Sequence, residues 1–428
     1  MGILLLSAVA CESKKDNGTG TSRLGSVSQS SGISSSTGSG VGSTTTDLGS
    51  NTGYEEPIIE EQAVVTEESE EETAQNDAIR EDLGLDESDL QAVKSAQEGY
   101  YCYSVMDESL HDLYAELYVI IMDEAEDVKI STVDSNELKY VFQCLYNDHP
   151  EIYWIDGYSY VRHEKNGEIQ YLTFTGKYTY TKDERDSFEN GINAYVNCCI
   201  GGVDSNASEY EKVKYVYEYI AEHTEYVTSA SDNQNILSVF LHGESVCQGY
   251  AKAMQYILYE MGIQSAIVTG KAYTGEGHAW NLVNIDDAYY YVDVTWGDSD
   301  YVINGVDATG EMPLNYDFLN ITTEELERTH TIDNIVPMPA CISTINNYYV
   351  KEGIYFTDYD VLQISSAFGK AYGQGDSVVT LKCADETAFQ AMYDELITNQ
   401  AIFDYIQAST ESVTYTISED TLVFNFWI

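Results

Sequence analysis

The stretch from Gly277 to Trp296 leaves the chain few ways to fold. It reads as two β-runs, 278–285 and 288–295, joined across Asp286-Asp287. Both runs are rich in Val, Ile and Tyr, the residues that suit a pleated, half-buried surface. A two-residue turn pairs positions whose numbers sum to 573, so Trp280 faces Asp293. His278 lies two residues from Trp280 and is the diagonal neighbour of Asp293 on the same sheet face. Diagonal neighbours are about 7–8 Å apart at the backbone, within reach of a His–carboxylate hydrogen bond. A register slip of one residue would put the two on opposite faces. Asp is depleted in strands, so one between Val292 and Val294 needs a reason. The plain alternatives are a satisfied strand histidine and a surface charge.

A second fixed point lies upstream. After Cys247, residues Ala251, Met254, Ile257, Leu258 and Met261 recur at helical spacing, and Gly262 is a natural stop. Cys247 therefore sits at or just before a helix N-terminus. There the helix dipole and free N–H groups favour a thiolate and could hold a developing oxyanion. Gly249 permits close backbone approach. Position alone is equally compatible with a small buried hydrophobe. Taken together, Cys247, His278 and Asp293 suit a nucleophile, a base and an orienting acid. Gln248 and Trp280 are candidates for the oxyanion hole or cleft wall.

Charge excludes whole classes of partner. The 428 residues carry 72 Asp+Glu against 20 Lys+Arg, a net charge of -52. Nucleic acid needs clustered cations and is not expected as a partner. Cationic substrates would be favoured by such a field. The eight Cys form no C-x-x-C or Cys/His cluster, so no zinc site is expected, and no residue is assigned to a metal or a cofactor. Buried free thiols are the preferred reading of the other cysteines. Asp298 and Asp300 lack a full calcium loop and read as solvated charges. His149, His163, His223 and His242 read as structural.

Residues 1–11 are a short apolar run ending at Cys11, like the end of a bacterial lipoprotein signal, though without the basic start. Residues 12–85 follow as a tether. Its first part is Ser, Thr and Gly; 54–72 then carries many Glu and almost no basic residue, so disorder is expected. These features place a soluble head outside the membrane, lipid-anchored through Cys11 or secreted. Residues 86–205 read as an α+β domain with an Asn166-Gly167 hairpin turn. The catalytic domain would span 206–335. Residues 336–428 read as a small α/β module, with β-runs at 348–350, 354–356, 377–382 and 422–427 and a helix at 387–398.

Three motifs together carry a family resemblance. Val246-Cys247-Gln248-Gly249-Tyr250-Ala251-Lys252-Ala253, Gly277-His278-Ala279-Trp280-Asn281-Leu282-Val283 and Tyr291-Val292-Asp293-Val294-Thr295-Trp296 resemble the core of bacterial transglutaminase-like proteins. Residues 232–236, 316–322 and His330 fit the same pattern, and residues 149–154 resemble a less specific region upstream in such proteins. The resemblance implies a papain-like α+β fold, with a helix carrying the Cys packed on an antiparallel sheet carrying His and Asp. It also implies acyl transfer from a peptide or protein amide through a Cys-His-Asp triad and a thioester. An amine acceptor would give cross-linking; water would give peptidase or amidase activity. Some members have lost catalysis, so a surface binding module on the same fold is a third reading. One departure is Asp287, where Gly is expected in the turn.

Overall fold

The computed structural model describes residues 23–28, 53–62, 64, 70–298, 302–303, 306–307, 314–407 and 412–428. Its strands and helices begin with β1 (Arg23–Ser28), β2 (Ile58–Glu61), α1 (Glu70–Asp82), α2 (Glu87–Gln97), α3 (Tyr101–Val105) and α4 (His111–Met122). Next come β3 (Val128–Ile130), α5 (Ser135–Asp148), β4 (Ile155–Lys165), β5 (Glu168–Tyr178), α6 (Lys182–Gly201) and α7 (Glu209–His223). The centre of the molecule holds β6 (Glu225–Tyr226), β7 (Glu244–Ser245), α8 (Cys247–Glu260), β8 (Ser265–Ala272), β9 (Gly277–Ile285) and β10 (Ala288–Val292). Then come β11 (Leu319–Ile321), α9 (Thr323–Leu326), β12 (His330–Ile332), α10 (Tyr348–Glu352), β13 (Tyr355–Phe356) and α11 (Val361–Gln374). The chain ends with β14 (Val378–Cys383), α12 (Glu386–Tyr393), β15 (Ser412–Ser418) and β16 (Val423–Trp427).

The central sheet runs β11-β10-β9-β8-β12, antiparallel throughout. Alternation splits its side chains between two cores. Trp280, Leu282 and Tyr291 join Tyr114, Phe142 and Phe174 of the N-terminal layer. Val283 and Val292 join Tyr250 and Met254 of α8 and Val213 and Tyr217 of α7 on the other face. Asn281 Nδ2 donates to the Ala251 carbonyl at 2.9 Å, tying β9 to α8 through a buried amide. Helix α6 contributes Ile192 and Val196 to that second core. Position 205 is therefore no break in packing, because the segment before it supplies a cover layer to each side of the sheet. A third core, around Phe356, Phe368, Leu381, Phe424 and Phe426, belongs to the C-terminal sheet β1-β15-β16-β14-β13. That unit starts near Ile354 rather than at 336, since Val336 and Cys341 pack into the first core.

The expected register holds. β10 pairs with β9 at positions summing to 573 from Ala288↔Ile285 to Val292↔Asn281. The turn residues both take left-handed backbone, Asp286 at φ +52° and Asp287 at φ +63°, as a primed hairpin turn requires. Asp286 N–H also donates to Glu209 Oε2 at 2.7 Å, anchoring the turn to the start of α7. Asp at a left-handed position carries a cost that Gly does not. Asp287→Gly should therefore raise stability by about 0.5–1 kcal/mol. Urea midpoints check this, and an unchanged or lowered midpoint would count against it.

The tether expected over 12–85 is corrected in part. β1 pairs with β15, β2 pairs with β4, and α1 is a regular helix. Local composition could not show this, because the compensating groups come from elsewhere in the chain. Arg162 pairs with Glu61 and Lys177 with Glu60. Arg80 Nη2 meets the buried Glu116 carboxylate at 2.6 Å, which docks α1. Cys11 and residues 29–52 lie outside the described residues. The β-run expected at 348–350 is instead the short helix α10. The Asn347 side chain caps it at Tyr349 N and left-handed Gly353 ends it. Helix α11 and strand β15 were not foreseen. Of the described cysteines, all with free thiols, Cys198 is exposed and the others are buried. No helix among the described residues is long and apolar enough to cross a membrane.

Candidate active site

Cys247 is the first residue of α8. The residue before it, Val246, offers no side-chain oxygen to cap the helix. The first-turn N–H groups thus stay available beside the thiol. Gly249 is required by packing: a Cβ there would stand 2.0 Å from Ser245 Oγ and 2.7 Å from Ser238 Oγ. Those two hydroxyls bond each other at 2.6 Å and hold the turn before the helix.

His278 and Asp293 meet as parity requires. His278 Nε2 lies 2.7 Å from Asp293 Oδ2. Asp293 itself has left the ladder; its N–H donates to the Phe318 carbonyl at 3.0 Å. Its Oδ1 accepts from Thr295 N at 3.0 Å and Trp296 N at 3.3 Å. That turn ends β10 at Val292, three residues before the expected end at 295. The two main-chain donors fix the carboxylate, and the carboxylate fixes the imidazole. With Nε2 engaged, Nδ1 is the ring nitrogen left for Cys247.

The electrostatics follow from burial and pairing. Burial works against protonation of His278, but the Asp293 carboxylate and Cys247 outweigh it and push its pKa up to about 10. Burial likewise opposes ionisation of Asp293, yet His278 and His330 hold its pKa below the usual carboxylate range. His278 is raised above its ordinary 6.5, so its pairing stabilises the fold fully below that pH and fades as pH rises through about 10. The stability gap between wild type and His278→Ala should therefore be widest near pH 6 and close towards about pH 10. Thermal unfolding across that range reads it; a gap constant with pH would contradict the pairing.

One residue of the site was not singled out as a site residue from sequence. His330 Nε2 lies 3.3 Å from the same Asp293 oxygen, without the alignment of a hydrogen bond. Its Nδ1 is 2.8 Å from Thr329 Oγ1. Burial lowers its pKa, so it stands neutral beside the charged pair. It arrives on β12, which pairs with β8 two strands from Asp293. His278, Asp293 and His330 place one ligand atom each within 4.8 Å of one another, a set that could hold a metal ion. Tyr226, on β6, is the other unforeseen neighbour. β6 pairs with the Glu244-Ser245 strand just before Cys247.

Gln248 and Trp280 fall on different sides. Gln248 is buried on α8, with Nε2 turned to the Tyr146 hydroxyl at 3.4 Å. Trp280 stands on the sheet face opposite Ala279, in the N-terminal core, beside His278 (5.9 Å between ring centroids) and His330 (4.9 Å). It walls the His–Asp pair. Asp298, expected as a solvated charge, is half-buried and accepts from the Tyr250 hydroxyl at 3.0 Å. Asp300 lies outside the described residues. His330 also borders a cavity of about 510 Å³, which neither Cys247 nor His278 lines.

Residues 197–294 match the family model of the Transglutaminase-like superfamily. Kyphoscoliosis peptidase of Mus musculus is 27% identical over 106 residues, covering 21% of this chain and 16% of that protein. The Homo sapiens protein of the same name is 26% identical over 106 residues, again 21% and 16%. The aligned part thus spans less than a fifth of these curated relatives. A crystal structure of a TGase is 16% identical, covers 38% of this chain and 47% of that one, and has a TM-score of 0.24. Residues 197–294 are thus similar to the core of transglutaminase-like proteins, and the fold is mixed α+β, with helix α8 packed on the antiparallel sheet.

Proposed function

We propose that this chain is a cysteine acyl-transfer enzyme acting on peptide or protein amides outside the cytoplasm. The observation that carries the reading is the His278 Nε2–Asp293 Oδ2 contact of 2.7 Å, which leaves Nδ1 to Cys247 at the first position of α8. Cys247 gives its thiol proton to His278, and Sγ attacks the amide carbon. The S–C bond forms while the carbonyl π pair moves onto oxygen, facing the uncapped N–H groups of the α8 first turn. The C–N bond then breaks, His278 protonates the departing amine, and a thioester remains. An incoming amine or water loses its proton to His278, attacks the thioester and releases Sγ, which regains the proton.

The net charge of -52 would draw in a cationic amine acceptor such as a lysine side chain. Water is the alternative acceptor, and the curated relatives carry the name peptidase. A labelled primary amine offered with a Gln-bearing protein separates the two. Incorporation that vanishes in Cys247→Ala supports transfer. Cleavage without incorporation, also lost in Cys247→Ala, supports hydrolysis. Either activity surviving Cys247→Ala would overturn the assignment. The location rests on the apolar run ending at Cys11, which would carry the lipid anchor. Globomycin-sensitive processing of the full-length protein and membrane association lost in Cys11→Ser would test it.

A further inference from the structure

Gly53 and Tyr54 lie against Cys247. Gly53 is buried, and a Cβ on it would stand 2.9 Å from Cys247 Sγ and 2.6 Å from the Tyr226 hydroxyl. Only glycine passes that point without displacing one of them. Tyr54 then places its ring, 8% exposed, in a small cluster with Cys247, Ala251, Ile267 and Ala279. Its hydroxyl is buried and faces the side chains of Gln143 and Thr269. A Cβ on Gly277 would be 3.6 Å from the Tyr54 carbonyl oxygen, so the segment runs beside the start of β9, one residue from His278.

The following residues are held by contacts to neighbouring elements. Glu55 N–H donates to Gln234 Oε1 at 3.0 Å, and Glu56 lies 3.8 Å from Lys139. Ile58–Glu61 then adds to β4 as a parallel strand against Gly157 to Tyr160. Gly157 is needed there, since its Cβ would fall 2.0 Å from the Ile58 carbonyl oxygen. Gln62 N–H donates to the Tyr160 carbonyl at 2.9 Å. Glu60 and Glu61 pair with Lys177 and Arg162. In a chain with 20 Lys+Arg against 72 Asp+Glu, three cations committed to one ten-residue segment make an unusual local match. Main-chain pairing plus one side chain in a pocket is the way a sheet-edge groove holds an extended peptide.

We propose that residues 53–62 are a pseudo-substrate, seated in the groove that receives the substrate peptide. The space beside Ala251, Ile267 and Ala279 is then a subsite for an aromatic side chain, with acidic residues preferred after it. The segment must swing aside before a peptide can reach Cys247. This deepens the acyl-transfer reading and rests on it only for turnover.

The test is carbamidomethylation of Cys247 in the full-length protein by iodoacetamide, followed by mass spectrometry. Tyr54→Ala, and separately the pair Arg162→Ala with Lys177→Ala, should raise the rate at Cys247 by about tenfold or more, as the open state gains population. The second variant loosens the clamp without touching the pocket, and circular dichroism checks folding of both. A synthetic peptide of residues 53–62 should slow alkylation of the Tyr54→Ala protein. The same peptide with Ala for Tyr should not. Equal rates in wild type and both folded variants, or failure of the peptide to protect, overturn the proposal. A thiol opened by the variants and protected by the peptide, in a protein that turns over no amide, supports the groove assignment and overturns the acyl-transfer reading instead.

Discussion

Asp293→Asn should lower kcat/KM by about a thousand- to ten-thousand-fold while leaving the protein folded, as the same exchange does in other triads. Asn keeps the shape of Asp but has one acceptor and one donor end. Thr295 N–H and Trp296 N–H already point at Oδ1, at 3.0 and 3.3 Å, and will hold the amide oxygen. The amide nitrogen then faces His278 Nε2 where Oδ2 stood, 2.7 Å away. Two donors cannot face each other, so His278 must put its proton on Nδ1. That is the nitrogen left to accept from Cys247. The loss should appear in kcat with KM little changed, because the substrate groove is untouched. A variant within tenfold of wild type would remove Asp293 from the chemistry.

The parts of the site visible in the sequence were those fixed by short-range periodicity. Parity across a two-residue turn put His278 and Asp293 together, and helical spacing put Cys247 at a helix start. Both rules involve fewer than about 20 residues and need no knowledge of the remaining fold. His330 failed that condition. It reaches Asp293 from an edge strand added to β8, after residues 299–313, and no spacing rule links the two. Tyr226 failed for the same reason, since its strand finds β7 only after a π-helical turn at Ser238–His242.

The acidic segment at 54–61 shows a different limit. A stretch with many Glu and few local cations satisfies every compositional sign of disorder. Its order comes from Lys139, Arg162 and Lys177, which lie far along the chain. Its path also depends on two glycines, Gly53 over the thiol and Gly157 under Ile58, whose lack of a side chain gains meaning only from what approaches them. Composition likewise gives no sign that the central sheet is covered on both faces by segments from before position 205.

Trp280→Ala should cost about 3–5 kcal/mol of stability, the range for emptying a large buried aromatic site. Trp280 is 1% exposed and among the largest fully buried side chains. Gly270 on the neighbouring strand makes room for it, since a Cβ there would stand 2.8 Å from Trp280 Cη2. The space left by the ring would open beside His278 and His330, and a cavity lined by those polar groups takes up water. Water there relieves both the burial that opposes protonation of His278 and the Asp293 and Cys247 interactions that outweigh it, so the net rise should shrink and the His278 pKa move from about 10 towards its ordinary 6.5. The alkaline limb of kcat should then move to lower pH, since His278 must be protonated to release the amine. Trp280→Phe should keep most of the stability and most of the alkaline limb. Urea denaturation reads the first effect and a pH–rate profile the second. If the midpoint drops but the limb stays in place, Trp280 supports the core alone. If both move together, the wall that holds the fold is also what keeps the His–Asp pair dry.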